Sequence, residues 1–127
     1  MTSANFQNRI TATLSVRNWQ QAMDFYKAAF GAVQLYQVPD GGVGQLSVGS
    51  ADFWVAEESP QHQNFSPESI GGCSVRMLLI VDDPAAVCQQ AVAAGAKQVY
   101  PVQDGHGWRL GRILDPFGHH WEIGRPL

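Results

Sequence analysis

Hydrophobic and polar positions follow the same succession of periods in each half of the chain. In the first half, polar and apolar residues alternate from Thr13 to Val16, which predicts a short strand. Apolar residues then recur every three or four positions from Trp19 to Phe30, the spacing of one helix face, and Gly31 follows where a helix ends. Three strands are predicted next, over 33–38, 43–48 and 53–56. The order of this half is therefore βαβββ.

The second half repeats that order. A strand is predicted over 75–81, a helix then begins after Asp83 with Pro84 in its first turn and ends at Gly95, and strands follow over 97–102, 108–114 and 119–123. Gly-Ala pairs end both helices, 64 residues apart at 31 and 95, and Trp54 and Trp121 lie 67 residues apart. We therefore predict two modules, one over about 9–58 and one over about 73–125, joined by a linker rich in Pro, Gln, Ser and Gly over 59–72.

This repeat predicts the fold class. A unit of about 50 residues with one helix cannot cover both faces of its sheet, so two units must pack together. We expect an α+β protein forming one domain over residues 1–127. Its two tandem βαβββ modules form curved mixed sheets around a cavity, with the helices outside. Such a cavity is suited to a small-molecule ligand.

Composition narrows the classes of partner. Charged residues make up 15% of the chain, the net charge is −3, and no basic block is present, which argues against a nucleic-acid partner. The longest apolar run, 77–81, is far too short to span a membrane, and the polar beginning of the chain does not read as a secretory signal. Cys73 and Cys88 lie in no C-x-x-C pattern, so both are expected to be reduced and buried. We expect a soluble cytoplasmic protein.

Several short motifs support a family resemblance. Asp24-Phe25-Tyr26 and Phe30-Gly31-Ala32 lie in the first module, and 81–84, 94–96 and 115–122 (VDDP, AGA and DPFGHHWE) lie in the second. In this order and spacing they resemble the vicinal oxygen chelate superfamily, which includes glyoxalase I, extradiol dioxygenases, and fosfomycin- and bleomycin-resistance proteins. The resemblance covers about residues 10–124. It implies the double βαβββ fold strongly and a particular activity only weakly.

The resemblance also implies four positions for a divalent metal, and the sequence departs from the usual ligands there. Counting from the motifs places Thr11, Gln45, Arg76 and Glu122 at these positions, where the family usually has His, Gln or Glu. Glu122 is a suitable ligand, but the permanent cation of Arg76 repels a metal ion. We therefore expect either an Arg76–Glu122 ion pair or an Arg76 free to bind an anion. A second arrangement of metal ligands would include His120.

Strand alternation assigns candidate site residues to the cavity face. If Glu122 points inward, so does His120, while Trp121 and its repeat counterpart Trp54 point toward the helices and Phe53 points inward. Glu122 is the candidate catalytic residue. The candidate ligand-binding residues are Thr11, Gln45, Phe53, Arg76, Trp108, Arg112 and His120. Thr13 and Ser47 are predicted to share their face.

Three functional hypotheses remain open at this stage. The first is a glyoxalase- or bleomycin-resistance-like protein that binds a small molecule without the usual catalytic metal and takes up either an aromatic or cationic compound or an anion. The second is a metal-dependent lyase, isomerase or transferase of the same superfamily. The third is a non-catalytic structural or regulatory dimer. In each case exposed sheet edges favour a homodimer, formed with modules paired within one chain or exchanged between two.

Overall fold

The structure, a computed structural model, describes residues 6–127 and contains both βαβββ modules in the predicted order. The helices and strands are β1 (Thr13–Val16), α1 (Trp19–Phe30), β2 (Val33–Gln37), β3 (Val43–Val48), β4 (Ala51–Glu57), α2 (Pro67–Ile70), β5 (Arg76–Ile80), α3 (Pro84–Ala94), β6 (Lys97–Gly105), β7 (Trp108–Leu114) and β8 (His120–Pro126). Module 1 comprises β1, α1 and β2 to β4, and module 2 comprises β5, α3 and β6 to β8. The α+β prediction with two tandem modules is confirmed.

The two sheets have the same topology. Their strand orders are β1-β4-β3-β2 and β5-β8-β7-β6. In each sheet the first strand of the module pairs in parallel with the last, and the other pairings are antiparallel. The same irregularity recurs, since the register shifts just before Tyr36 in β2 and just before Tyr100 in β6. The repeat seen in the sequence is thus preserved down to the position of one β-bulge.

Both long helices begin and end as their sequences predict. The Asn18 side chain accepts a hydrogen bond from the backbone N–H of Gln21 at the start of α1, and Asp83 accepts one from Ala86 at the start of α3. Gly31 has a φ of 66°, the left-handed conformation that closes α1 with little strain for glycine. Local capping therefore accounts for the residues at which each helix begins and ends.

Three strands are longer than predicted, and the predicted linker contains a helix. β4 begins at Ala51 rather than at 53, and β8 ends at Pro126 rather than at 123. β6 extends to Gly105, beyond the predicted end at 102, because its pairing with β7 continues through Gln103, Asp104 and Gly105. The predicted linker contains the short helix α2, whose N-cap is Ser66. Glu58 accepts hydrogen bonds from the Ser66 backbone and the Ser69 hydroxyl, and these bonds lower the pKa of the Glu58 carboxyl. The linker is therefore folded against the end of module 1.

A single core joins the helix-covered faces of the two sheets. The rings of Phe53 in β4 and Trp121 in β8 lie 5.4 Å apart, and Tyr26 of α1 contacts both, at 5.4 and 5.5 Å. All three side chains are buried. Because these inner faces share one core, the opposite face of each sheet, here called its open face, points outward. The expected cavity between the open faces is not enclosed within one chain.

A buried carboxylate ties the modules together. Asp115, in the turn between β7 and β8, is 2% exposed and accepts hydrogen bonds from the Tyr26 hydroxyl at 2.5 Å and the Trp121 indole N–H at 3.0 Å. Its second oxygen accepts the backbone N–H groups of Phe117 and His119, each at 2.9 Å. Burial first, and then the neighbouring Asp115, raise the pKa of Tyr26 well above its usual value. This turn is the D-P-F-G segment of the sequence, so its aspartate has a structural role.

Among residues 6–127, no helix combines the length and apolar content needed to cross a membrane. Cys73 and Cys88 are free thiols, half-buried and buried respectively. Burial raises the pKa of the Cys88 thiol, which keeps it protonated and unreactive.

Candidate functional site

The open faces carry two equivalent rows of side chains, one across each sheet. In module 2 the backbone register places Leu78, Glu122, Arg112 and Tyr100 side by side on β5, β8, β7 and β6. In module 1 the row consists of Thr13, Trp54, Gln45 and Tyr36 on β1, β4, β3 and β2. At the two central positions of the row, module 2 therefore has the charged residues Glu122 and Arg112 where module 1 has the uncharged residues Trp54 and Gln45.

Glu122 is held between two guanidinium groups. The Arg76 Nε donates a hydrogen bond of 3.0 Å to Oε1 of Glu122, and Nη2 of Arg112 lies 3.6 Å from its Oε2. The Glu122 side chain is 20% exposed, that of Arg112 24% and that of Arg76 54%. The ion pair expected between Arg76 and Glu122 is present, and Arg112 completes a cluster, here called the Arg–Glu–Arg cluster.

Within the described residues, the Arg–Glu–Arg cluster makes one aromatic contact and has polar atoms without a partner in or beside it. The Arg112 guanidinium carbon lies 5.3 Å from the ring centre of Tyr100, a cation–π geometry that fixes the long side chain against β6. Nε of Arg112 and Nδ1 of His120 are buried and have no hydrogen-bond partner within residues 6–127. His120 lies opposite Arg76 in the parallel pairing of β5 and β8. The neighbourhood of Glu122 thus contains polar atoms whose hydrogen-bonding capacity the described part of the chain does not use.

The corresponding positions of module 1 form a second, self-contained cluster. Asp52 accepts a hydrogen bond of 2.8 Å from the Gln45 amide and forms an ion pair with Arg9. The Gln45 hydrogen bond contributes most to a pKa of Asp52 below its usual range, and Arg9 adds to the effect. Thr11 precedes β1 and donates a hydrogen bond of 3.0 Å to the Asp52 carbonyl oxygen. Gln45 and Thr11 are thus engaged within their own module, through an aspartate that the sequence analysis missed.

Phe53 does not reach the open face, and the orientation predicted for it is wrong. It is 6% exposed and packs in the shared core, while Trp54 lies in the open-face row. The reason is that the chain between paired positions is one residue shorter from β3 to β4 than from β7 to β8. Arg112 lies 67 positions after its counterpart Gln45, but Glu122 lies 68 positions after its counterpart Trp54. Since a shift of one residue reverses the faces of a strand, the counterpart of Trp121 is Phe53 rather than Trp54.

Trp108 lies at the end of the sheet, away from the cluster. It is the first residue of β7 and pairs with Pro126 near the chain end. Four residues of extended strand separate it from Arg112, a distance of about 13 Å. It shares the face of Arg112 by alternation, but its backbone position is remote from the carboxylate of Glu122.

The donor set does not suit a divalent metal. Within the described residues, no group of three or more His, Cys, Asp or Glu side chains converges. The counterparts of the family ligands are the hydroxyl of Thr11, the amide of Gln45, already bonded to Asp52, and the Arg76 guanidinium. The fourth, Glu122, is neutralised by cations that would repel the metal. An Arg side chain has no lone pair to offer, so the cluster has the wrong chemistry for a cation.

A groove between the modules is distinct from this cluster. It has a volume of about 330 Å³ and runs between β1, β5 and α2. Its lining is mainly apolar, including Leu14, Phe65, Ile70 and Met77, and none of the three cluster residues contributes to it.

Comparison with known proteins establishes the family. A model of the Glyoxalase/Bleomycin resistance protein/Dioxygenase superfamily matches residues 8–123, nearly the whole chain. The chain belongs to this superfamily. The resemblance inferred from the motifs is therefore confirmed, and this glyoxalase-superfamily protein departs from the family's usual ligand set at the positions described above.

Relatives share its sequence along almost its whole length. An uncharacterized protein of Mycobacterium bovis is 36% identical over 131 residues, covering 97% of this chain and 86% of the relative. An uncharacterized protein of Mycobacterium tuberculosis is also 36% identical and covers 97% of this chain and 77% of the relative.

Solved structures share the fold. A gene product of Arabidopsis thaliana is 26% identical with a TM-score of 0.73, covering 95% of this chain and 100% of the other. The fosfomycin resistance protein FosX from Listeria monocytogenes, solved with Mn(II) and a dihydroxypropylphosphonic acid, has a TM-score of 0.71, covering 97% of this chain and 93% of the other. At 13% identity this second match shows the fold alone.

Proposed function

We propose that this glyoxalase-superfamily protein binds a small organic molecule on the open face of module 2 and does so without a catalytic divalent metal. The observation that supports the proposal is the Arg–Glu–Arg cluster. Glu122, the one strong candidate among the expected metal ligands, is bonded to Arg76 and lies beside Arg112. A carboxylate between two cations is already neutralised, so a metal ion would gain little from it and would meet their repulsion.

Metal content tests this proposal directly. Protein purified without chelators is expected to contain divalent metal well below one equivalent per chain, measured by elemental mass spectrometry. Ligands from a small-molecule panel are expected to raise the melting temperature equally with and without EDTA, because a ligand that binds only the native state stabilises it. One equivalent of metal that disappears in Glu122→Ala would instead support the metal-dependent lyase, isomerase or transferase.

We further propose that the protein works as a homodimer in the cytoplasm. On β5 of module 2, Leu78 and Ile80 are 49% and 58% exposed, and the edge-strand residues Tyr36 of module 1 and Tyr100 of module 2 are about half exposed. A second copy that covers these open faces would enclose the cavity that one chain leaves open. In this arrangement the open face of each module is paired with a module of the other chain. Free thiols at Cys73 and Cys88 agree with a reducing compartment.

Sedimentation of an open-face variant tests the dimer. Leu78→Lys is expected to yield a folded monomer, because it places a charge in the centre of the proposed interface. Val92→Lys is the matched control, since Val92 is 43% exposed but lies on α3, away from the open faces. If Leu78→Lys sediments like the parent protein, the proposed interface is wrong.

A further inference from the structure

The Arg–Glu–Arg cluster carries a surplus positive charge that the rest of its module does not neutralise. Two guanidinium groups share the single carboxylate of Glu122. The other acidic side chains of module 2 are engaged elsewhere: Asp82 with Arg125, Asp104 with Arg109, Asp83 at the cap of α3, and Asp115 in the buried turn. The cluster therefore has a net charge of +1, counted from two Arg and one Glu.

The donors of this cluster are also incompletely used. Each guanidinium has five N–H donors, but the only hydrogen bond within this cluster is the one from Arg76 Nε. The Arg112 contact with Glu122, at 3.6 Å, is longer than a hydrogen bond, and Nε of Arg112 has no partner within residues 6–127. His120 Nδ1, on the same open face, also lacks one. A ligand with acceptor oxygens would pair with the guanidinium N–H groups that Glu122 leaves free.

We propose that the ligand of this site is a small organic carboxylate, whose anionic group binds at Arg76 and Arg112. The inference rests on the proposed small-molecule function and names its ligand class. A carboxylate presents two oxygens in a plane and matches the fork of a guanidinium, so one anion can bridge Arg112 and Arg76 beside Glu122. Its single negative charge equals the surplus of the cluster.

The position of Arg112 favours a recognition role over a merely structural one. Its side chain is three-quarters buried and is fixed by the Tyr100 ring, so little conformational entropy is lost when an anion binds. Arg76 is more exposed, at 54%, and its contribution is more strongly screened by solvent. We therefore expect Arg112 to carry most of the affinity and Arg76 a smaller part.

Three probes of similar shape and different charge separate the ligand classes: benzoate, neutral benzamide and cationic benzylamine. Binding is measured by isothermal titration calorimetry on the full-length protein in EDTA, and the site is located by chemical-shift changes at Glu122 and Arg112. We expect benzoate to bind at the cluster at least about tenfold more tightly than benzamide, with no binding of benzylamine there. Failure of benzoate to bind at the cluster overturns the inference.

Variants test whether the charges act as proposed. Arg112→Met is expected to weaken benzoate binding roughly tenfold to a hundredfold, the range for losing a charge-assisted hydrogen bond, and Arg112→Lys is expected to retain part of the affinity. Arg109→Met is the matched control. It removes the same charge from the same strand, but Arg109 pairs with Asp104 and lies outside the cluster, so affinity should not change. Thermal unfolding confirms that each variant is folded.

Glu122→Gln gives the sharpest result. It removes the carboxylate that competes with the ligand, so benzoate affinity is expected to rise, whereas a metal or cation site would lose its binding. A fall in benzoate affinity in this variant contradicts the inference. If benzamide or benzylamine binds at the cluster in EDTA and benzoate does not, the ligand class is wrong while metal-independent binding stands. If no probe and no compound of the wider panel binds, the proposed function fails as well.

Discussion

The hydrogen bond between Tyr26 and Asp115 offers a direct test of how the modules are joined. The hydroxyl of Tyr26, in α1 of module 1, donates to a carboxylate in the last turn of module 2, and neither residue contacts solvent appreciably. Tyr26→Phe removes this one bond and changes little else, because the ring remains between Phe53 and Trp121. In this variant Asp115 still accepts hydrogen bonds from three other donors, and these continue to stabilise its carboxylate.

The expected cost follows from the type of bond. A buried hydrogen bond to a charged group contributes about 1.5–3 kcal/mol. With a urea m-value of about 1.5–2 kcal/mol/M for a domain of this size, the midpoint of unfolding should fall by about 1 M or more. Asp115→Ala should be more severe, because it leaves four donors without an acceptor: the Tyr26 hydroxyl, the Trp121 indole and the N–H groups of Phe117 and His119.

The pH dependence gives this prediction a second, independent readout. The pKa of Tyr26 is raised in the folded state, so its stabilising effect is complete below the unfolded value of about 10 and is lost as the pH rises above it. Above pH 10 the unfolded chain releases the Tyr26 proton while the folded chain retains it. The stability advantage of the parent protein over Tyr26→Phe should therefore shrink by up to about 1.4 kcal/mol per pH unit.

The assay is urea unfolding of both proteins at pH 7 and at several values between 10 and 11, followed by far-ultraviolet circular dichroism. Comparison with the variant cancels the titration of every other group. A loss below about 0.5 kcal/mol at pH 7 would refute the argument. So would an advantage that does not change with pH, since it would mean that Tyr26 ionises equally in both states.

Two further predictions concern single contacts. In Gln45→Leu the pKa of Asp52, measured by NMR titration, should rise, because the hydrogen bond that lowers it most is lost. The ionised Asp52 stabilises the parent protein fully above the unfolded pKa of about 3.9, and on acidification the variant should lose this contribution at a higher pH than the parent does. An unchanged pKa of Asp52 would contradict the assignment. In Gly124→Ala a Cβ would lie 2.5 Å from the Arg109 carbonyl oxygen, so the free energy of unfolding, measured with urea, should fall by about 1–3 kcal/mol. Gly72→Ala is the control, because its Cβ would meet nothing within 4 Å and the free energy of unfolding should hardly change.

The sequence predicted the architecture because the repeat supplied each element twice. Turn residues and helix caps bounded the strands and helices locally, and the Gly-Ala pairs aligned the two halves. The short helix α2 was missed, although Ser66 before Pro67 and Gly71 after Ile70 form a recognisable cap and stop. The proline, serine and glycine residues of this segment are also typical of a linker, and a helix of only four residues gives no clear periodic pattern between them.

The candidate site was predicted less completely, and for a definite reason. The pairing of Arg76 with Glu122 followed from the family resemblance, which assigns both residues to positions around one site, and the structure contains this ion pair. The predicted orientation of Phe53 depended on aligning two turns that differ by one residue. Aligning Trp54 with Trp121 ignored this difference and assigned the side chains of β4 to the wrong faces of the sheet. Asp52 was missed because its partner Gln45 lies on another strand, and cross-strand register is not readable from one sequence.

The shared core has a consequence for how the chain unfolds. Phe53 from one sequence half and Trp121 from the other are in direct contact, and Tyr26 joins them. Because neither half retains a complete interior when the other opens, we expect partial unfolding of one module to cost nearly as much as global unfolding. In native-state hydrogen exchange, the slowest amides of β4 and β8 should open with equal free energies and respond equally to denaturant. The duplicated chain is then a single cooperative folding unit in which neither copy persists without the other.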